Sequence, residues 1–283
     1  MAMTEQRQIL VTGATGKVGR HVVRQLLRTG TATVRALARD PEAAELPAGV
    51  EVVRGDLAVP ATLDDALRGV DTVFLLWPFM TANGAPEVID AIARHADRVV
   101  YLSATSADDG FWGEIEKLIE KTGLEWTFLR PGGFMSNTLL WADQIRDGVV
   151  RWPYGAMARP LIDEADIAAV AVQALTADGS TGSGHAGKKY VLTGPERITQ
   201  VQQVQILGEA IGRPVRWEEV SPADAREQLL AAWGNASFAD HALDAWAAML
   251  EAPEPVTSTV EQLTGTAARS FRDWARGHAD DFR

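Results

Sequence analysis

The chain has 283 residues, 46% apolar and 23% charged, a balance that suits a folded globular protein and excludes a mainly disordered one. Twenty-seven basic against 38 acidic side chains leave a formal net charge of −11, which argues against a role in gripping nucleic-acid phosphates. Cysteine is absent, so disulfides, zinc–thiolate sites, iron–sulfur clusters and thiol nucleophiles are excluded.

Residues 8–12, Gln-Ile-Leu-Val-Thr, read as a short strand running into a glycine-rich turn. From Lys17 to Thr29 the apolar residues Val18, Val22, Val23, Leu26 and Leu27 recur at helical spacing, and Gly30 ends that helix. Further strands are expected at 33–38, 50–54, 71–76, 98–103 and 125–130, with helices at 63–67, 86–95 and 111–121 between them. The stretches VFLL and RVVYL are continuous apolar runs, which a parallel sheet covered on both faces requires. After Pro131-Gly132-Gly133 the rhythm loosens. A helical stretch is expected at 134–146, and an amphipathic helix at 166–176 started by Asp163 or Asp166. A polar glycine loop follows at 178–188, then a strand at 190–193, a helix at 201–211 and a strand at 215–219. The remainder reads as helical, with a break at Ala252-Pro253-Glu254-Pro255. The fold class is therefore α/β, with a parallel-sheet core in residues 1–133 and, in 134–283, the remaining sheet and helix elements with a smaller C-terminal lobe, the two intertwined across a soft boundary.

The chemistry-bearing motif is Gly13-Ala14-Thr15-Gly16-Lys17-Val18-Gly19, set between a strand and a helix. Glycine at 13 and 16 lets the backbone approach a diphosphate, and Gly19 lets the helix pack closely. The helix N-terminus then offers N–H groups and partial positive charge to the phosphates. The spacing GxxGxxG is one residue longer at its first interval than GxGxxG. The second strand ends in Ala38-Arg39-Asp40-Pro41. Arg39, about 20 residues past Gly19, suits the 2′-phosphate of NADP, whereas a carboxylate there selects NAD. Asp40 is the competing residue, but it precedes a proline and is expected to start a turn. NADP(H) is thus favoured over NAD(H). Gly55-Asp56-Leu57 follows the third strand, where Asp56 is placed to accept from an adenine amino group.

With these residues together, the chain resembles the NmrA-like branch of the atypical short-chain dehydrogenases. The resemblance rests on VTGATGKVG (11–19), VRALARD (34–40), VVRGDL (52–57), VFLLWP (73–78), VVYLSA (99–104), GLEWTFLRPGGFMSN (123–137), PLIDEADIA (160–168) and YVLTGPERIT (190–199). It implies a Rossmann-type doubly wound sheet with a small C-terminal lobe. It implies a nicotinamide flanked by the turns after Leu76 and Ser103 and by Pro131–Phe134, which brings Trp77, Ala104, Pro131 and Phe134 to the cofactor. The implied functions are two: reduction of carbonyls or quinones with NADPH, and non-catalytic sensing of the nicotinamide pool with a protein partner.

The usual Tyr-x-x-x-Lys couple of the wider family is missing, since the helix reads SADDGFWGEIEKLIEKTG and no tyrosine lies between Tyr101 and Tyr154. Alignment with the family brings Asp108 and Trp112 to about the tyrosine and lysine positions. Hydride transfer needs only a well-held acceptor, and an oxyanion can be steadied by a hydroxyl, by water or by the substrate itself. Ser103 and Ser106, with Thr105 beside them, are the candidate hydroxyls. The expected substrate is an aromatic or polyketide-like ketone or quinone. Trp77, Phe79, Phe111, Trp112, Met135, Trp141 and Trp152 are candidates for its pocket, or for a plain apolar interface. The other five tryptophans are expected in cores.

Gly182 to Lys188 imitates a phosphate loop but lacks the following Ser or Thr and the helix. The five histidines show no metal spacing, so no metal is expected. No signal pattern or membrane-length apolar run is present, and a cytoplasmic address is the expectation.

Overall fold

The computed structural model describes residues 6–108, 110–177 and 184–283. In chain order the elements are β1 (Arg7–Val11), α1 (Gly19–Thr29), β2 (Ala32–Ala38), β3 (Val50–Arg54), α2 (Leu63–Leu67), β4 (Thr72–Leu76), α3 (Ala85–His95), β5 (Arg98–Leu102), α4 (Phe111–Glu120) and β6 (Glu125–Pro131). There follow α5 (Ala142–Arg146), β7 (Val149–Trp152), β8 (Ala158–Arg159), α6 (Glu164–Thr176), β9 (Lys188–Leu192), β10 (Ile198–Thr199), α7 (Gln200–Ile211) and β11 (Arg216–Glu219). The chain closes with α8 (Pro222–Trp233), α9 (Ala236–Glu251), α10 (Thr259–Thr264) and α11 (Phe271–Gly277).

Seven parallel strands form one sheet in the order β3-β2-β1-β4-β5-β6-β9. The order reverses between β1 and β4, and ligands of open α/β sheets bind at such a switch, beyond the carboxyl ends of the strands. β4 and β5 are buried on both faces, as their unbroken apolar sequences require. One face is filled by Leu67, Ile89, Ile92, Ile115 and Ile119 from α2, α3 and α4. α1 and α6 pack against each other, and α6 also packs on β4, β5 and β6.

The chain divides into two compact units that interleave. The first holds residues 1–131, 164–192 and 259–266, and the second holds 132–163, 193–258 and 267–283. α6, β9 and α10, all beyond residue 133, belong with the first unit, because β9 extends the sheet beside β6 and α6 covers it. α6 is also not amphipathic. Ile167, Ala168, Val170, Ala171, Val172, Ala174 and Leu175 are all buried, around almost the whole helix, as a helix packed on several sides demands. The expected strand at 190–193 runs as Lys188–Leu192, and most of the polar loop before it lies outside the described residues.

The second unit pairs β7 with β11 in parallel and β8 with β10 antiparallel. The sequence reading missed β7 and β8, which are short. The helical stretch expected at 134–146 begins as a 3-10 helix, Met135–Trp141, and turns α-helical only in α5. No helix among the described residues is long and apolar enough to cross a membrane.

Candidate active site

The turn after β1 is built by steric exclusion. Gly13 has φ +60, in the left-handed region, and a Cβ there would crowd Leu76 at 3.2 Å. Gly19 is more tightly held, since a Cβ would fall 2.1 Å from the Gly13 carbonyl oxygen. Sequence reasoning assigned Gly19 to helix–strand packing; the atom that excludes a side chain is instead in the turn itself. The Gly16 N–H donates to the Gly13 carbonyl at 2.9 Å, closing the loop. Thr12, which the sequence reading passed over, fastens this turn to the end of β4. Its buried hydroxyl accepts from the Leu76 N–H at 2.8 Å and lies 3.2 Å from the Phe74 and Leu76 carbonyls. No side chain caps α1 and its first turn carries no acid, so its positive end faces the loop uncompensated. Thr15 and Lys17 are exposed on the loop, while Val18 is buried and starts the apolar stripe of α1. Arg20 lies back across the loop, donating to the Thr15 carbonyl at 2.7 Å and the Gly16 carbonyl at 3.3 Å.

At the end of β2 the Arg39 side chain is exposed. Asp40 accepts from the Glu42 N–H at 3.2 Å, the turn-starting role its proline neighbour suggested. Asp56 turns one carboxylate oxygen to the Ala58 N–H at 2.9 Å, so part of its accepting capacity serves its own loop. Leu57 is 7% exposed and packs into the first unit's core. These features fit a dinucleotide. A glycine cradle that a Cβ would fill, an uncapped helix N-terminus and an arginine beyond β2 with no ion pair among the described residues match a diphosphate and a phosphorylated ribose.

The carboxyl ends of β5 and β6 are organised differently. Ser103 is buried, and its hydroxyl donates to Glu116 Oε1 at 2.6 Å. Glu116, on α4 and 1% exposed, is gripped by Arg130 through two bonds, Nε to Oε1 at 2.8 Å and Nη2 to Oε2 at 2.5 Å. Lys189 of β9 stands 3.2 Å from Glu116 Oε2 and 2.9 Å from Glu120 Oε1. Burial alone would raise the Glu116 pKa, but the bonds from Arg130, Ser103 and Lys189 outweigh it and hold the carboxyl below its ordinary value. Tyr101 is buried with no hydrogen-bond partner among the described residues, and its phenol is pushed up by burial and by the Glu116 charge.

This network corrects one expectation. Ser103 cannot offer its proton to a substrate while Glu116 accepts it; its hydroxyl is an acceptor only. Ser106 is exposed, Ala104 is half-buried, and the Thr105 N–H donates to the Pro131 carbonyl at 3.1 Å, tying the β5 turn to the end of β6. Asp108 is largely exposed and accepts from Arg130 Nη1 at 3.3 Å. Glu116 left a trace in the sequence, a carboxylate on the apolar stripe of a helix, whereas Arg130 lies in a strand that also carries Glu125 and Thr127 and stands out less.

The aromatic candidates separate. Trp77 is buried, with its indole N–H donating to the Thr81 carbonyl at 2.7 Å and its ring edge-on to Phe79 at 5.0 Å. Phe111 and Trp112 lie 4.1 Å apart at the start of α4 and, like Phe79, are only partly buried. Phe79, Phe111 and Trp112 keep exposed surface, whereas Trp77 is 7% exposed and part of the first unit's core. Met135, Trp141 and Trp152 are 0%, 5% and 3% exposed and belong to the second unit's core. Trp141 stands edge-on to Trp152 and Trp217, and burying these large apolar rings against one another outweighs lining an open pocket. Phe134 is half-buried and bridges to Ile162 in the second unit. Beside it, a Cβ at Gly133 would meet Leu161 at 2.7 Å and Arg159 at 2.8 Å, which explains the second glycine of the turn. Among the described residues there is no cluster able to hold a metal ion.

The model of a family described as NAD(P)H-binding matches residues 13–178, more than half of the chain. The chain belongs to that family. The resemblance to the NmrA-like atypical short-chain dehydrogenases holds, and this family member is an NAD(P)H-dependent oxidoreductase. A (4-alkanoyl-5-oxo-2,5-dihydrofuran-3-yl)methyl phosphate reductase of Streptomyces griseus is 42% identical to it, over 97% of this chain and 99% of that one. An NAD(P)H azoreductase of Xenophilus azovorans is 37% identical over 97% and 99%. The NADPH-dependent quinone oxidoreductase of Escherichia coli superposes with a TM-score of 0.79 at 27% identity, covering 95% of this chain and 98% of that one. Its complex with NADPH superposes with a TM-score of 0.78.

Proposed function

We propose that this family member uses NADPH to reduce a conjugated, electron-poor acceptor: a quinone, or a ketone whose carbonyl is joined to an aromatic or unsaturated system. The observation that carries this reading is the fate of Ser103. Its proton is engaged by Glu116, and the tyrosine of the wider family is missing, so neither Ser103 nor a tyrosine stands at the end of β5 as a pre-set acid. An acceptor that spreads the incoming negative charge over its own π-system needs least help from the protein. The substrates named for the relatives agree in kind, since quinones, azo compounds and acylated unsaturated lactones all carry conjugated acceptors. Bound NADPH supplies the hydride, and solvent supplies the proton. The chain's own residues bind and orient. The Gly13–Gly19 turn and the N-terminus of α1 hold the diphosphate, and Arg39 holds the 2′-phosphate. Thr12 keeps that turn in register with the end of β4. Ser103, held by Glu116, offers lone pairs at the end of β5, and the Trp77–Phe79 and Phe111–Trp112 pairs provide apolar faces for a flat ring.

The test is a panel of quinones, aromatic ketones and unsaturated lactones with NADPH, followed at the nicotinamide absorbance. Turnover confined to the conjugated acceptors is expected. Tight NADPH binding with no turnover across the panel would instead favour the sensing role. The cofactor part has its own test. Arg39→Ala is expected to weaken NADPH roughly 10- to 100-fold and NADH little, by the strength of a charge-assisted bond to phosphate.

A further inference from the structure

The carboxyl ends of β2 and β3 carry two guanidinium groups, and only Arg39 has a role so far. Arg54 is the last residue of β3, and parallel pairing sets it opposite Ala38, the residue before Arg39. Its Nη1 donates to the Arg39 carbonyl at 3.2 Å, so the Arg54 guanidinium lies against the end of β2. That bond uses one of its five N–H donors. Both side chains are exposed, and neither forms an ion pair among the described residues. Other strand arginines do pair: Arg35 with Glu51 and Arg98 with Glu125. The neighbouring carboxylate, Asp40, is turned to the Glu42 N–H. In a chain with 38 acidic against 27 basic side chains, two unpaired arginines on adjoining strand ends mark a place for an anion from outside.

We propose that Arg54 is a second specificity determinant for NADPH, closing a two-sided clamp on the 2′-phosphate together with Arg39. This rests on the NADPH reading above and extends it to β3. A phosphate monoester presents three terminal oxygens, and one planar fork engages two of them. A guanidinium from β3 reaches the oxygen that a guanidinium from β2 leaves to solvent. The bond to the Arg39 backbone holds the second fork in place before the phosphate arrives, which lowers the ordering cost of binding. NADH lacks the phosphate and gains nothing from either arginine.

The clamp is tested by calorimetry on the full chain with 2′,5′-ADP, 5′-ADP, NADPH and NADH, comparing Arg39→Ala, Arg54→Ala and Arg54→Gln with the unmodified protein. Arg54→Gln keeps an amide donor for the Arg39 carbonyl and removes the charge. Both Arg54 variants are expected to weaken NADPH and 2′,5′-ADP by ~5- to 30-fold while leaving NADH and 5′-ADP within about twofold. They should also flatten the salt dependence of NADPH binding. Equal losses for all four ligands, full rescue by Arg54→Gln, or no loss beside a selective Arg39→Ala would each overturn the clamp and leave the NADPH reading intact. A non-selective Arg39→Ala would overturn that reading, and the clamp with it.

Discussion

The turn after β1 and the paired ends of β5 and β6 lie at the same edge of one sheet but are built by opposite means. The first is backbone: glycines with no room for a Cβ, a helix end without a cap, a loop closed on its own carbonyl. The second is side chain: a buried carboxylate saturated by Ser103, Arg130 and Lys189. Backbone donors left open can receive a ligand, whereas a saturated ion network holds strand ends in place and has little left to give. The first region is thus the one built for the proposed cofactor diphosphate, and the second holds the strand ends rigid beside it.

Breaking the second region should produce the largest effect. Glu116→Ala removes the main partner of the partly buried Arg130, leaving it only the contact to Asp108, and is expected to lower unfolding free energy by about 3 kcal/mol in denaturant titration. NADPH affinity, measured on the fraction still folded, should change far less. The same network predicts an acid response. The Glu116 carboxyl is depressed on folding, so its stabilisation is fully present above the ordinary glutamate value and is lost as pH falls through the lower folded one. Glu116→Gln should remove that part of the acid transition, visible as a flatter stability–pH curve below about pH 4.5.

Gly19→Ala reverses the pattern. Its Cβ would collide with the Gly13 carbonyl, so stability should fall by about 1–3 kcal/mol and NADPH binding by ~100-fold or more as the loop is displaced. Calorimetry with NADPH and a thermal melt on the same sample separate the two losses. If the melt moves and binding does not, the loop is not the cofactor cradle.

Ser103→Ala sharpens the assignment. With its proton given to Glu116, the hydroxyl supplies no acid, and kcat should fall less than ~10-fold. A thousandfold loss would mean that Ser103 donates during turnover. The smallest effect is expected from Asp40→Ala. Its carboxylate supports a turn, and the ratio of NADPH to NADH affinity should move by about threefold or less. A larger shift would make Asp40 a ribose ligand.

The alternation of strands and helices through β6, the glycine turn after β1 and the cation after β2 were all legible along the chain. Each is a contiguous pattern: apolar runs of strand length, a glycine spacing, a residue at a set distance from the turn. Helix 63–67 and strand 50–54 were legible to the residue for that reason. The other features depend on contacts between distant segments. Glu116, Arg130 and Lys189 come from three separate elements, and although Glu116 stands out on an apolar stripe, no local pattern shows which groups it meets. Met135, Trp141 and Trp152 looked like pocket residues in one dimension and proved to be core, because burial depends on what distant segments bring against a ring. α6 looked amphipathic until α1, α10 and three strands enclosed it. Local patterning records the backbone's path, whereas the partner of a buried charge or ring is set by the register between segments far apart in the chain.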